Sequence, residues 1–257
     1  MNDPGVNDPG MNDPGMNDHE LAASLATRAG LLLLDVRTEF ADAPSDERKA
    51  AGDTRSHDFL IEQLAAARPG DAVLSEEAAD DPIRLRSERV WIVDPLDGTR
   101  EFSEHGRDDW AVHVALWSAG DLVAGAVALP AQGVTLATPR VPALPPAPAV
   151  PRIVVSRTRP PAVALRVREA LGATLIEMGS AGAKVAAVVQ GRAEVYVHAG
   201  GQYEWDSAAP VAVARAAGLH TSRIDGSPLR YNQADLLLPD LVVCRPQYAP
   251  EVLAALR

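Results

Sequence analysis

The stretch from Trp91 to Phe102 constrains this chain more than any other. Trp91-Ile92-Val93 is an apolar strand, Asp94-Pro95-Leu96-Asp97 sets two carboxylates at its end, and Gly98-Thr99 supplies a turn. Asp94 and Asp97 stand three residues apart across a proline, a spacing at which a bend aims both carboxylates and the Leu96 carbonyl at one point. That concentration of oxygens suits a hard cation. The Gly98 and Thr99 amides then open a short helix, where unpaired N–H groups and the helix dipole favour an anion. The stretch predicts metal and phosphate side by side.

An anion held there must be held against the charge of the whole chain. The formal net charge of -11 argues against nucleic acid and anionic membrane as partners, because phosphate backbones are bound by excess Lys and Arg. Bound metal ions would supply the positive charge locally. Cys244 is the only cysteine, which excludes an intramolecular disulfide framework and a zinc-ligand cluster and fits a reducing compartment. Between Val243 and Arg245 it reads as a buried thiol without a catalytic role. No apolar run reaches membrane-spanning length, and the N-terminus lacks the regions of a signal peptide, so a soluble cytoplasmic protein is expected.

Residues 1–16 carry three Asn-Asp-Pro-Gly units and read as a disordered tail; with methionines at 11 and 16, the tail is expected to precede the native start codon. Residues 17–138 read as an N-terminal α+β domain. Asn17 and Glu20 fit a capping box, and Leu21, Leu25, Leu32, Leu33 and Val36 mark one helical face. A polar loop is expected over 41–51, with Asp53 capping a second helix that carries Phe59, Leu60, Ile61 and Leu64. The strand 72–75 ends in Glu76-Glu77, and 110–117 with 122–129 alternate as a hairpin. Six prolines over 139–151 predict a linker. Beyond it, 152–257 alternates strand and helix as an α/β domain, with late strands expected near 235–238 and 241–245. With aromatics at 4%, the core must come mostly from Val, Leu, Ile and Ala.

At roughly one residue in twenty per position, six specified residues such as Asp-Pro-Leu-Asp-Gly-Thr rarely arise by chance. With the upstream Glu76-Glu77 pair and Trp205-Asp206 opening a helix, the stretch resembles the hallmark of the magnesium-dependent, lithium-sensitive inositol monophosphatase superfamily. The resemblance covers residues from about 18 to 257 and implies a layered α/β/α/β sugar-phosphatase-type fold. It further implies that Glu76, Asp94, Asp97, Asp206 and the Leu96 carbonyl surround two or three Mg2+ ions. Asp53, at an acidic position before a helix, would bind a third ion or orient the attacking water. Thr99 would hydrogen-bond that water, with Asp53, Glu76 and Thr99 as the catalytic set. Asp97 and the Gly98 and Thr99 amides would hold phosphate. A homodimer is among the assemblies open to such a chain.

Within the superfamily the likeness is to the CysQ-type branch, through Arg100-Glu101-Phe102, Val155-Ser156-Arg157 and Gly179-Ser180 followed by Lys184. That branch implies a small-molecule substrate, 3′-phosphoadenosine 5′-phosphate, whose 3′-phosphate is removed to leave AMP in sulfur assimilation. The second phosphate would need cations away from the metals. Ser156, Arg157, Arg159, Ser180 and Lys184 are the candidates, with His198 and Asp206 completing the substrate contacts. Inositol 1-phosphate, fructose 1,6-bisphosphate and histidinol phosphate remain alternative substrates, and a non-catalytic nucleotide-binding relative the remote alternative. His113, alternating within a strand, reads as structural.

Overall fold

The computed structural model describes residues 15–158 and 160–257. The repeat units of the tail, residues 1–14, and Arg159 lie outside the described residues.

The chain opens with two long helices, α1 (Asp18–Glu39) and α2 (Ser45–Ala67), followed by β1 (Ala72–Ser75), β2 (Arg89–Asp97), the short α3 (Thr99–Ser103), β3 (Ala111–Ser118), β4 (Asp121–Leu129) and β5 (Val134–Ala137). These strands form one sheet in sequence order, β1 parallel to β2 and the rest antiparallel. After an irregular stretch come β6 (Arg152–Ser156), α4 (Ala162–Leu171), β7 (Thr174–Met178), α5 (Ala181–Val189), β8 (Val195–Ala199), α6 (Glu204–Ala216), β9 (His220–Ser222), β10 (Asp240–Cys244) and α7 (Ala249–Leu256). The second sheet runs β7-β6-β8-β10-β9, with β10 antiparallel to both neighbours.

Three apolar layers stack the sheets and helices in α/β/α/β order, with a further pair of helices closing the far face of the second sheet. Period-two alternation splits β2: Trp91 and Val93 pack with Leu25, Leu33 and Leu60 of α1 and α2, whereas Val90 and Ile92 face inward. The inner layer joins them to α5 and α6 and to Tyr196 and Val243 of the second sheet. The outer face of that sheet, with Ile153 and Val197, packs on α4 and α7. Alanines line α5 and α6, which lets the middle helices come close: a Cβ at Gly125 of β4 would stand 2.6 Å from the Ala212 Cβ.

The α1 capping box is present, with Asn17 Oδ1 accepting from the Glu20 amide at 3.0 Å and Glu20 answering at 3.1 Å. Leu21, Leu25, Leu33 and Val36 are buried as expected, with Leu32 at the edge of that face.

Two boundaries differ from the expectation. The polar stretch 45–51 is helix, so Asp53 lies inside α2 and does not cap it; Pro44 precedes the first turn. Arg48 explains the earlier start. Its buried guanidinium donates to the carbonyls of Phe40, Ala41, Ala43 and Ser103, tying the turn to α3 by contacts no local pattern announces. Near 235–238 there is no strand: Leu237 makes a single bridge with Tyr203, and the edge of the sheet is taken by β9. Among the described residues, no helix is long and apolar enough to cross a membrane.

Candidate active site

The bend after β2 is a break in the sheet ladder. Asp94 pairs with His113 and Asp97 with Ala111, and the register shifts between them. Pro95 has no N–H to donate, so the ladder loses a bond there and the strand bulges. Ser56 of α2 donates to the freed Pro95 carbonyl at 2.7 Å, while Asp94 Oδ1 accepts from the Leu96 amide at 3.0 Å. Gly98 then takes φ +87°, and a Cβ there would meet the Ser180 Cβ at 3.0 Å, so only glycine fits both backbone and space. The Thr99 hydroxyl donates to the Leu96 carbonyl at 3.2 Å.

Around this bend the fold gathers acids from four elements. Asp53 comes from α2, Glu76 from the end of β1, Asp94 and Asp97 from β2, and Asp206 from the first turn of α6. Burial, reinforced by the charges of Glu76, Asp97 and Asp206, holds the Asp94 carboxyl well above its usual range. Burial and the Glu77 charge push Asp53 up to about 7. Glu76 also rises to about 7, through desolvation and the neighbouring Asp97, Glu77 and Asp53 charges. Asp206 rises to about 7 through burial and the Asp97 charge. In the absence of a cation, the fold favours these acids protonated.

Asp97 is the exception. Burial works to raise it, but the His113 ring, the Ser180 hydroxyl and the Lys184 ammonium bring it down to about 2. Its Oδ2 accepts from Ser180 Oγ at 2.5 Å and the Gly182 amide at 2.6 Å, and its Oδ1 accepts from the Ala181 amide at 3.1 Å. The carboxylate therefore caps α5 and satisfies orphan amides of its first turn. Ser180, at φ +46°, stands in a conformation rare for a residue with a Cβ, and its hydroxyl also accepts from the Ala183 amide at 2.9 Å.

His113 is the residue whose part the sequence did not disclose. It is fully buried, with Nε2 3.3 Å from Asp97 Oδ2 and Nδ1 3.8 Å from Asp94 Oδ2. Nδ1 also lies 3.1 Å from the Trp205 carbonyl, one residue before Asp206, and a Cβ on Gly182 would strike Nε2 at 1.9 Å. One ring thus touches β2, α5 and α6. The available signal was its place in the alternation of β3, a polar side chain on the face shared with Ala111 and Ala115.

The structure carries a direct argument for a cation. Asp94 Oδ2 is buried and has no hydrogen-bond donor among the described residues, an arrangement that is costly for the ionised carboxylate unless a positive charge answers it. Ligating atoms of Asp94, Asp97 and His113 all lie within 4.8 Å of one another. An oxygen-rich, carboxylate-dominated set fits a hard divalent ion such as magnesium.

Beside the carboxylates opens a cavity of about 260 Å³ bordered by Gly98 and Thr99 and by Ser156, Arg157, Ser180 and Lys184. The expected cations are partly spent. Arg157 donates to Glu101 and to Glu104, each at 2.6 Å. Lys184 is buried and donates to the carbonyls of Gly179 at 3.0 Å and Ser180 at 2.5 Å. His198 does not border the cavity; its Nε2 meets the Gly200 carbonyl in its own loop. Cys244 is buried, which pushes its thiol up to about 12.

Comparison with known proteins agrees with this geometry. The profile of the inositol monophosphatase family matches residues 18–141 and 150–257. A Mycobacterium bovis protein named 3′-phosphoadenosine 5′-phosphate phosphatase is 54% identical over 237 residues, covering 89% of each chain. The Escherichia coli 3′(2′),5′-bisphosphate nucleotidase CysQ is 31% identical over 202 residues, covering 73% of this chain and 81% of its own. Among solved structures, inositol monophosphatase II from Staphylococcus aureus superposes with a TM-score of 0.76 at 21% identity, over 90% of both chains.

Proposed function

The chain belongs to the inositol monophosphatase family, and from that premise we propose that it is a magnesium-dependent phosphatase that removes the 3′-phosphate of 3′-phosphoadenosine 5′-phosphate. The products are AMP and inorganic phosphate, and the activity serves sulfur assimilation. The observation that carries the substrate is the 54% identity, spread over 89% of both chains, to a protein bearing that activity in its name.

In this reading Glu76, Asp94, Asp97, Asp206 and the Leu96 carbonyl would hold two or three Mg2+ ions. When bound, they would supply the positive charge that lowers the pKa of a water and answers the charge on the departing alkoxide. The chain's own residues place the reactants. The Gly98 and Thr99 amides take phosphate oxygens. Because the Thr99 hydroxyl donates to Leu96, what it offers a water is an acceptor, which turns a water lone pair toward phosphorus. Asp53, the one acid of the group outside that ligand set, would take the water's proton as the oxygen–phosphorus bond forms. The proton balance closes when the 3′-oxygen leaves with the ester bond's electron pair and is protonated from solvent.

Purified protein with magnesium is expected to release phosphate from 3′-phosphoadenosine 5′-phosphate with a kcat/KM roughly a hundredfold above that for inositol 1-phosphate. Measured kcat/KM values in the opposite order would replace the substrate while leaving the reaction class in place.

Protons compete with metal for the same oxygens, and the sign of that competition is measurable. Asp53, Glu76 and Asp206 have folded-state pKa values of about 7, above the ordinary carboxylate range near 4. Their contribution to stability is complete below about pH 4 and is lost as pH rises through about 7. Asp97, held at about 2, contributes in the opposite sense, its stabilisation being lost only as pH falls from about 4 through about 2. The metal-free protein is expected to lose thermal stability between pH 5 and pH 8, and millimolar Mg2+ to restore more of it at pH 8 than at pH 5. Thermal melts with and without EDTA test this; a magnesium effect independent of pH would count against carboxylate ligands.

A further inference from the structure

Charge accounting around the 260 Å³ cavity leaves one cation unspent among the described residues. Arg157 is answered by Glu101 and Glu104. Lys184 is buried on two backbone carbonyls, and its charge is already felt by Asp97. Arg100 borders the same cavity, is exposed, and its guanidinium has no hydrogen bond or ion pair among the described residues. It follows Thr99 directly, so it flanks the turn assigned above to the phosphate that is cleaved. Hydroxyls of Ser156, Thr158 and Ser180 lie on the cavity's border with it.

A guanidinium is a planar fork that meets phosphate oxygens two at a time, and an exposed one is desolvated at little cost on binding. We propose that Arg100 binds the second phosphate of the substrate, the one that is not hydrolysed, and so sets the preference for a bisphosphate over a monophosphate. The assignment rests on the bisphosphate reading of the preceding section. It also gives the Glu101 and Glu104 pairing a function. By holding Arg157, these acids leave the anion to Arg100 and keep their own charges from repelling it.

The experiment compares two substrates that differ only in the 5′-phosphate, 3′-phosphoadenosine 5′-phosphate and adenosine 3′-monophosphate, in the magnesium-loaded full-length enzyme and its Arg100→Ala, Arg100→Lys and Arg157→Ala variants. One lost charge-assisted pair at an exposed site corresponds to about a tenfold change. Arg100→Ala is expected to lower the ratio of the two kcat/KM values about tenfold, with the loss mainly in KM for the bisphosphate, and Arg100→Lys to recover part of it. A wild-type preference that persists in Arg100→Ala overturns the assignment of Arg100 alone. Collapse of the ratio in Arg157→Ala, with Arg100→Ala unaffected, overturns it in favour of Arg157. A wild-type enzyme that does not distinguish the two substrates overturns the bisphosphate reading itself, and the assignment with it.

Discussion

Asp94→Asn is expected to abolish phosphate release and magnesium binding together while making the metal-free protein more stable. The substitution preserves shape. Asn Oδ1 can keep the 3.0 Å bond from the Leu96 amide, so the bend survives. What changes is the buried Oδ2, which lacks a donor and faces the charges of Glu76, Asp97 and Asp206. An amide N–H2 there cannot ligate a cation, and the expected loss in kcat/KM is about a thousandfold or more. The same change removes a charge the apo fold tolerates only by raising its pKa. The melting temperature at pH 8 without metal should therefore rise. Calorimetric titration with Mg2+ alongside thermal melts checks both halves. Wild-type magnesium binding and turnover in the variant would remove Asp94 from the site.

That opposition between stability and function marks what was legible in the sequence. The apolar-to-acidic step at Val93-Asp94 exposed the cluster of carboxylates because strand, proline and carboxylates are adjacent in the chain. The alternation in 110–117 likewise separated the two faces of β3, which the structure turns toward α1 and toward the middle helices. Two features were hidden, for a common reason. Asp97 completes its bonding with Ser180, Ala181 and Gly182, more than eighty residues away. His113 acquires its position from Trp205 and Gly182. Neither partner leaves a trace in local periodicity. The α2 boundary failed in the same way, since the first turn of Ser45-Asp46-Glu47 buries no apolar side chain and is held by Arg48, which reaches three carbonyls of the preceding turn and the distant one of Ser103. Leu236, Leu237 and Leu238 misled in the opposite direction: an apolar triplet resembles a strand until it is seen that only Leu237 finds a strand-like partner.

The segment 78–89, which leads into β2, contains Arg84, whose loss is expected to cost more stability than any other substitution proposed here. Arg84 is 1% exposed. Its Nε and Nη2 donate to Asp80 at 2.6 and 3.0 Å, Nη1 to Asn232 Oδ1 at 2.8 Å, and Nη2 also to the Gln233 carbonyl at 2.9 Å. The amides of Asn232 and Gln233 in turn donate to the buried Glu204 at 2.6 and 2.7 Å. Glu204 stands two residues before Asp206, so the network anchors the helix turn that carries a proposed metal ligand. Arg84→Met keeps most of the volume but leaves the Asn232 and Gln233 oxygens without their donor and Glu204 without a nearby positive charge. Breaking a buried charge network from one side costs about 3–5 kcal/mol, or on the order of 10 °C in Tm for a chain of this size. Urea unfolding should register that loss, and a value below about 1 kcal/mol would show the network to be idle. The activity signature should be the reverse of Asp94→Asn. Arg84→Met acts on Asp206 only by loosening the first turn of α6, so the folded fraction is expected to bind magnesium more weakly and still turn over, whereas Asp94→Asn folds more firmly and does neither.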